Sequence, residues 1–153
     1  MPHISFATPL GDLSLFEEKG ALVAVEWGRA AMDKERGGKS TPLLDRARKQ
    51  LDEYFDGKRT KFDLPLAPSG TAFQKKVWAA IARIPYGQTA SYGDVAHQVD
   101  SGPRAVGGAC GKNPIGVIVP CHRVLGSQGT IGGYSGGGGL VTKKQLLKLE
   151  GVG

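Results

Sequence analysis

The chain predicts an α+β protein in which a small antiparallel sheet and one helix precede a mostly helical region that includes a helix-turn-helix. Three observations carry this. Short β-rich apolar runs crowd residues 3–27, apolar residues then recur at helical spacing, and the composition changes near Ser69. With 153 residues and 40% apolar content, the chain has core enough for one domain or two small ones.

His3–Thr8, Leu13–Glu17 and Leu22–Trp27 are separated by Pro9-Leu10-Gly11 and Lys19-Gly20, a pattern that predicts an antiparallel meander. The polar segment Met32–Thr41 predicts a loop. After Thr41-Pro42, an N-cap followed by a proline in the first turn, Leu44, Ala47, Leu51, Tyr54 and Phe55 mark one face of a helix that Gly57 ends. Asp63–Gly70, with Pro65 and Pro68, predicts an extended connector and the boundary between an N-terminal domain over 1–69 and a C-terminal domain over 70–153.

Past that boundary, Phe73, Val77, Trp78, Ile81 and Ile84 predict an amphipathic helix started by Thr71 and stopped by Pro85-Tyr86-Gly87. Ser91–Val99 and Pro103–Lys112 then predict two short helices. Asp100-Ser101-Gly102 joins them, a connection of the length a helix-turn-helix uses, although short helices joined by glycine also occur without that role. The second helix holds three glycines from Arg104 to Lys112, each costing roughly 0.8–1 kcal/mol against alanine. Something must therefore come close to its backbone. A nucleic-acid groove probed by the single long Arg104 satisfies that, and so does another helix packed tightly against it.

Charge and glycine are both lopsided. Residues 1–69 carry 11 basic and 11 acidic side chains, whereas residues 70–153 carry 9 basic and 3 acidic, so the net charge of +6 belongs to the second part. A polyanion-binding surface needs such a bias, and a solvated basic surface also produces one. Glycines number 6 in the first part and 18 in the second. The densest stretch, Gly126 to Gly139, is punctuated by Ile131 and Tyr134 and followed by Leu140, which predicts a compact loop with several positive-φ turns rather than a linker.

The start MPHISFATPLGDL lacks a basic region followed by an apolar block, which predicts neither a signal peptide nor a membrane anchor and favours the cytoplasm. Two cysteines cannot build a disulfide framework or a four-cysteine zinc site, so cysteine chemistry here is that of a free thiol. The candidate is Cys121. The apolar run Val117–Val119 reads as strand-like, Pro120 turns the chain, and Cys121-His122-Arg123 follow. A free cysteine is only about 3% thiolate at neutral pH, so a nucleophile needs a base or a cation, and His122 and Arg123 are candidates for both. Neighbouring side chains on an extended segment diverge, which favours a water between Cys121 and His122. A buried inert cysteine beside a chance histidine is the competing reading. Cys110, inside the glycine-rich helix, reads as a small packing residue.

The run Pro120-Cys121-His122-Arg123-Val124, preceded by Asn113-Pro114 and followed by Gly133-Tyr134-Ser135-Gly136-Gly137 and Leu146-Leu147-Lys148-Leu149-Glu150-Gly151, resembles the O6-alkylguanine-DNA alkyltransferases. The likeness extends upstream through Phe73-Gln74-Lys75-Lys76-Val77-Trp78, Ile84-Pro85-Tyr86-Gly87, Ser91-Tyr92 and Arg104-Ala105-Val106-Gly107-Gly108-Ala109. It covers nearly all of residues 71–151, whereas residues 1–70 share only length and element order.

The resemblance implies an α+β chain with a winged-helix-like C-terminal domain and a single-turnover repair reaction on double-stranded DNA. An alkyl group passes irreversibly from O6 of guanine, or O4 of thymine, to Cys121. His122 would act as general base through a water, Glu150 would orient its ring, and Asn113 would brace the turn before the acceptor. Tyr92 would crowd the phosphate and promote base flipping, and Arg104 would enter the stack in place of the flipped base, with Ala105, Gly107 and Gly108 beside it on the DNA. The backbone carbonyls of Cys121 and Val124, with the Tyr92 hydroxyl and the Ser135 amide, would read the guanine edge, and Tyr134 would form a pocket wall.

Gly116 stands where the family pattern has proline, and Gly138-Gly139 lengthen the loop after Tyr134. Residues 1–70 hold no cysteine and only His3, so neither metal nor cofactor is expected. A monomer is expected. The alternatives from other classes are a protein that binds alkylated DNA without transfer, against which Cys121 argues, and a helix-turn-helix regulator, for which the Pro-Cys-His-Arg run has no use.

Overall fold

The computed structural model describes residues 1–28, 40–126, 129 and 139–152. It divides into two compact units, Met1–Pro68 and Ser69–Gly153. Among the described residues the fold is mixed α+β.

The first unit opens with β1 (His3–Thr8), β2 (Gly11–Glu18) and β3 (Ala21–Trp27), an antiparallel sheet in the order β1-β2-β3. Phe6 pairs with Leu13, and Leu15 with Val25, so the buried side chains of neighbouring strands fall in register on one face. Helix α1 (Pro42–Phe55) is capped by the Thr41 hydroxyl, which accepts from Leu44 N, and it buries Leu44, Ala47, Leu51, Tyr54 and Phe55. The predicted loop over Met32–Thr41 falls outside the described residues except for Ser40 and Thr41.

The connector after α1 is more ordered than its prolines imply. Leu22 N donates to Pro65 O and Ala67 N to Leu22 O, a parallel bridge that docks Leu66 beside the start of β3. Buried Gln50 exchanges two hydrogen bonds with the backbone of Asp63. Prolines cannot donate to a ladder, but Pro65 serves here only as an acceptor and Pro68 lies past the bonded Ala67.

In the second unit, α2 (Ala72–Ala82) starts with a reciprocal capping box between Thr71 and Gln74. Gly70 lies against Trp78, where a Cβ would approach the indole to 2.5 Å, so only glycine fits before this cap. A short strand β4 (Ala90–Ser91) leads into α3 (Tyr92–Gln98), capped by Ser91 and Asp94. Asp100 turns the chain at φ 59° into α4 (Pro103–Gly111). The indole N–H of Trp78 donates to Ala109 O at 2.8 Å, fixing α2 to α4. The last helix, α5 (Leu140–Leu149), follows Gly139 at φ 65°, and Gly129 also has positive φ at 75°; the rest of the glycine-rich stretch lies largely outside the described residues.

One expected element differs. Val117–Val119 is not a strand: Ile118 N donates to Gly116 O, Val119 N to Ile115 O and Cys121 N to Val119 O, which makes a sequence of tight turns with Val117 at φ 68°. A buried β-branched residue in the left-handed region costs on the order of 1–3 kcal/mol. Apolar character was a sound guide to burial here and a poor one to conformation. The strand comes later, as β5 (Val124–Leu125), which pairs in parallel with β4.

Candidate active site

Pro120 delivers the chain into one 3₁₀ turn, Cys121–Arg123, so Cys121 and His122 do not lie on an extended segment as expected. The thiol is also less open than a nucleophile suggests. Cys121 is 7% exposed, and Asn113 Nδ2 lies 3.3 Å from its sulfur. The nearby Cys110 thiol and burial push the Cys121 thiol well above its ordinary pKa. It therefore rests protonated and must lose its proton to react.

Asn113 organises the turn. Its Oδ1 accepts from Ile115 N at 3.0 Å, and its Nδ2 donates to Val119 O at 3.0 Å and lies 3.3 Å from Cys121 Sγ. One amide thus closes the turns around Val117 and touches the sulfur.

His122 is fully buried, and its Nε2 lies 2.7 Å from Glu150 Oε2. Glu150 follows α5, and its carboxylate also receives Arg123 Nε at 2.7 Å and Nη2 at 3.0 Å. A carboxylate held by a bidentate guanidinium stays ionised, so Nε2 carries the imidazole proton and Nδ1 holds a bare lone pair. That Nδ1 is buried with no hydrogen-bond partner among the described residues. Burial outweighs the Glu150 hydrogen bond and lowers the pKa of His122, which keeps the ring neutral and able to accept a proton.

The role expected of Arg123 changes accordingly. Its guanidinium does not serve the thiol; it binds Glu150, donates from Nη1 to Ile84 O at 2.6 Å and stacks over Tyr86, 5.7 Å from the ring centre. The cation at the sulfurs is Lys143 on α5, which reading the sequence did not single out. It is buried, donates from Nζ to Val124 O at 2.7 Å, and lies 5.8 Å from the Tyr92 ring centre. Its charge favours ionisation of both cysteines. The available signal was its helical spacing, seven residues before Glu150 on the face that holds Leu146 and Leu147.

Tyr92 begins α3, half-buried, with burial and the two sulfurs raising the pKa of its hydroxyl. The hydroxyl therefore stays a donor. Val124 is buried and its carbonyl is already taken by Lys143. Arg104 and Ala105 are exposed on the first turn of α4. A Cβ at Gly107 would meet Tyr92 at 4.0 Å, whereas at Gly108 it would meet nothing within 4 Å. Tight helix packing thus does not account for Gly108, and its face is open. Tyr134 and Ser135 lie outside the described residues.

Two family models match the chain: the 6-O-methylguanine DNA methyltransferase DNA binding domain over residues 72–152, and the ribonuclease-like domain of the same family over residues 1–68. The second match extends the likeness into the region where motifs alone were silent. The chain is 42% identical to the constitutive methylated-DNA–protein-cysteine methyltransferase of Bacillus subtilis, over 94% of this chain and 91% of that one. It is 40% identical to the methylated-DNA–protein-cysteine methyltransferase of Methanosarcina acetivorans, over 99% of both. Among solved structures it is similar to Mycobacterium tuberculosis OGT in complex with DNA, with a TM-score of 0.85 and 40% identity over 98% of this chain and 92% of that one. With both halves matched, the chain belongs to the 6-O-methylguanine DNA methyltransferase family.

Proposed function

We propose that this protein repairs DNA by direct reversal, moving an alkyl group from O6 of guanine, and from O4 of thymine, onto Cys121 in a single irreversible turnover. The observation that carries the chemistry is the bare, buried Nδ1 of a neutral His122 beside a protonated Cys121. A water at Nδ1 takes the thiol proton to the imidazole, and Glu150 stabilises the imidazolium that forms. Sγ then attacks the alkyl carbon, the S–C bond forms as the O6–C bond breaks with its electron pair left on the base, and the guanine anion takes up a proton as it leaves. The Tyr92 hydroxyl, protonated at rest, donates a hydrogen bond to the departing base.

The substrate is double-stranded DNA carrying O6-alkylguanine. Arg104 fills the gap left by the flipped nucleotide, and Ala105, Gly107 and Gly108 form the face that the groove approaches. Val124, Tyr134 and Ser135 line the base pocket. A reducing cytoplasm suits an acceptor that must remain a free thiol. Acceptor, base and helix pair lie on one chain, so a monomer suffices. No helix among the described residues is long and apolar enough to cross a membrane.

Intact mass after incubation with methylated duplex tests the reading. One methyl on the Cys121 peptide, none on Cys110, and activity ending after one equivalent are expected. Repeated turnover, label on Cys110, or binding without any mass gain overturns it.

A further inference from the structure

The turn that ends α2 does more than stop a helix. Gln88 N donates to Pro85 O at 3.0 Å, and Gly87 has φ 79°, the left-handed third position that a type II turn requires. Tyr86, the second residue of that turn, is half-buried, and its hydroxyl donates to Leu149 O at 3.2 Å, one residue before Glu150. Its ring lies under the Arg123 guanidinium, 5.7 Å from centre to Cζ. Two further contacts come from the same stretch. Ile84 O accepts from Arg123 Nη1 at 2.6 Å, and a Cβ at Gly87 would sit 3.4 Å from Glu150 O. Residues 84–87 thus grip both partners of the Arg123–Glu150 pair, whose carboxylate lies 2.7 Å from His122 Nε2.

An imidazole is only as well oriented as the carboxylate that holds it. Glu150 serves three donors at once, His122 Nε2 and the Nε and Nη2 of Arg123. A guanidinium free to swing would carry that carboxylate with it, but an aromatic face and the Ile84 carbonyl leave Arg123 one place to lie. We propose that Tyr86 is a positioning residue for alkyl transfer: its ring fixes Arg123 and its hydroxyl fixes the backbone at Leu149, so that Glu150 keeps its hydrogen bond to His122 Nε2 and Nδ1 stays the bare, proton-accepting nitrogen. Tyr86 acts through these residues rather than on the reacting atoms. The clamp follows from the distances alone, while its effect on repair rests on His122 being the general base.

Two full-length variants test this: Tyr86→Met, which fills similar space without ring or hydroxyl, and Tyr86→Phe, which keeps the ring. The first readout is the proton on His122 Nε2 by nuclear magnetic resonance without DNA; the chain has three histidines, and the His122 signal is the one missing from His122→Gln. Held by a carboxylate, that proton resonates far downfield in wild type and exchanges slowly with water. The second readout is single-turnover transfer from saturating methylated duplex. Tyr86→Met is expected to move the proton upfield, speed its exchange at least about tenfold and slow transfer about fivefold, with circular dichroism and duplex affinity unchanged. Tyr86→Phe is expected to change both rates in the same direction by about twofold, and it carries the test should Tyr86→Met not fold. A wild-type Nε2 signal in the folded variants overturns the clamp, whatever happens to transfer. A loosened Nε2 proton with undiminished transfer leaves the clamp standing and overturns both the positioning role and the reading of His122 as base.

Discussion

Asn113 Nδ2 lies 3.3 Å from Cys121 Sγ while the same side chain holds Ile115 N and Val119 O, so the Cys121 sulfur is tied to the turn that presents it. Removing the amide loosens both. Asn113→Ala is expected to cost about 1–3 kcal/mol of stability, because buried backbone groups lose their partners. Asn113→Asp keeps the acceptor for Ile115 N but sets a negative charge beside the sulfur, which raises the thiol pKa further. Transfer by the Asp variant is therefore expected to be slower than by the Ala variant at neutral pH and to regain ground in alkali. Single-turnover rates across pH check this, and an Asp variant as fast as Ala at neutrality contradicts it.

Glu150 was expected only to orient His122, and its second partner changes the outcome of mutating it. Glu150→Gln removes the counter-charge of Arg123 in a pair whose side chains are 0% and 7% exposed. Breaking a buried pair from one side costs about 3–5 kcal/mol. The variant should therefore unfold at lower urea as well as transfer more slowly, while duplex affinity of the folded fraction holds. A variant with wild-type stability would show that the Arg123–Glu150 pair is not the structural tie described above.

Burial lowers the pKa of His122 below its ordinary 6.5. Below that value the unfolded chain takes up a proton that the folded chain refuses, so stability falls as pH drops, by at most about 1.4 kcal/mol per pH unit. Urea unfolding from about pH 7.5 to about pH 5 should show wild type losing more stability than His122→Gln over this window. Parallel curves for the two proteins would rule out a buried neutral imidazole.

Much of this was legible because short-range signals set it: Thr41, Thr71 and Ser91 cap helices where cap residues precede apolar periodicity, and the three N-terminal strands pair as their turns require. What escaped notice depends on distant partners. Arg123 meets Glu150 27 residues later, and Lys143 reaches Val124 O across 19, so neither contact leaves a local pattern. Val117 misled for a related reason, since its left-handed turn is held by Asn113 rather than by its own preference.

Gly108 gives a test in which stability and function move in opposite directions. Its position in α4 is exposed and a Cβ there meets nothing, so Gly108→Ala should raise stability by about 0.5–1 kcal/mol. If the smooth face is where a duplex approaches, the added methyl should slow transfer from duplex several-fold and leave transfer from a free O6-alkylguanine base unchanged. A stabilised variant with undiminished duplex transfer removes the face from the DNA interface.

Arg104 separates DNA handling from chemistry more sharply, because it is exposed at the start of α4 and is not among the groups that touch Cys121. If its side chain fills the space left by a flipped nucleotide, it stabilises a state whose unstacking costs a few kcal/mol. A free alkylated base has no stack to leave. Arg104→Ala should thus slow transfer from saturated duplex substantially, with transfer from the free base nearly unchanged. A residue that only contacts phosphate behaves otherwise: its loss weakens duplex binding and flattens the salt dependence by about one counterion, while transfer from saturated complexes proceeds as before. Single-turnover rates on both substrates, at saturating DNA, decide between the two. If both rates fall by the same factor, Arg104 supports the fold or the thiol and does not enter the stack.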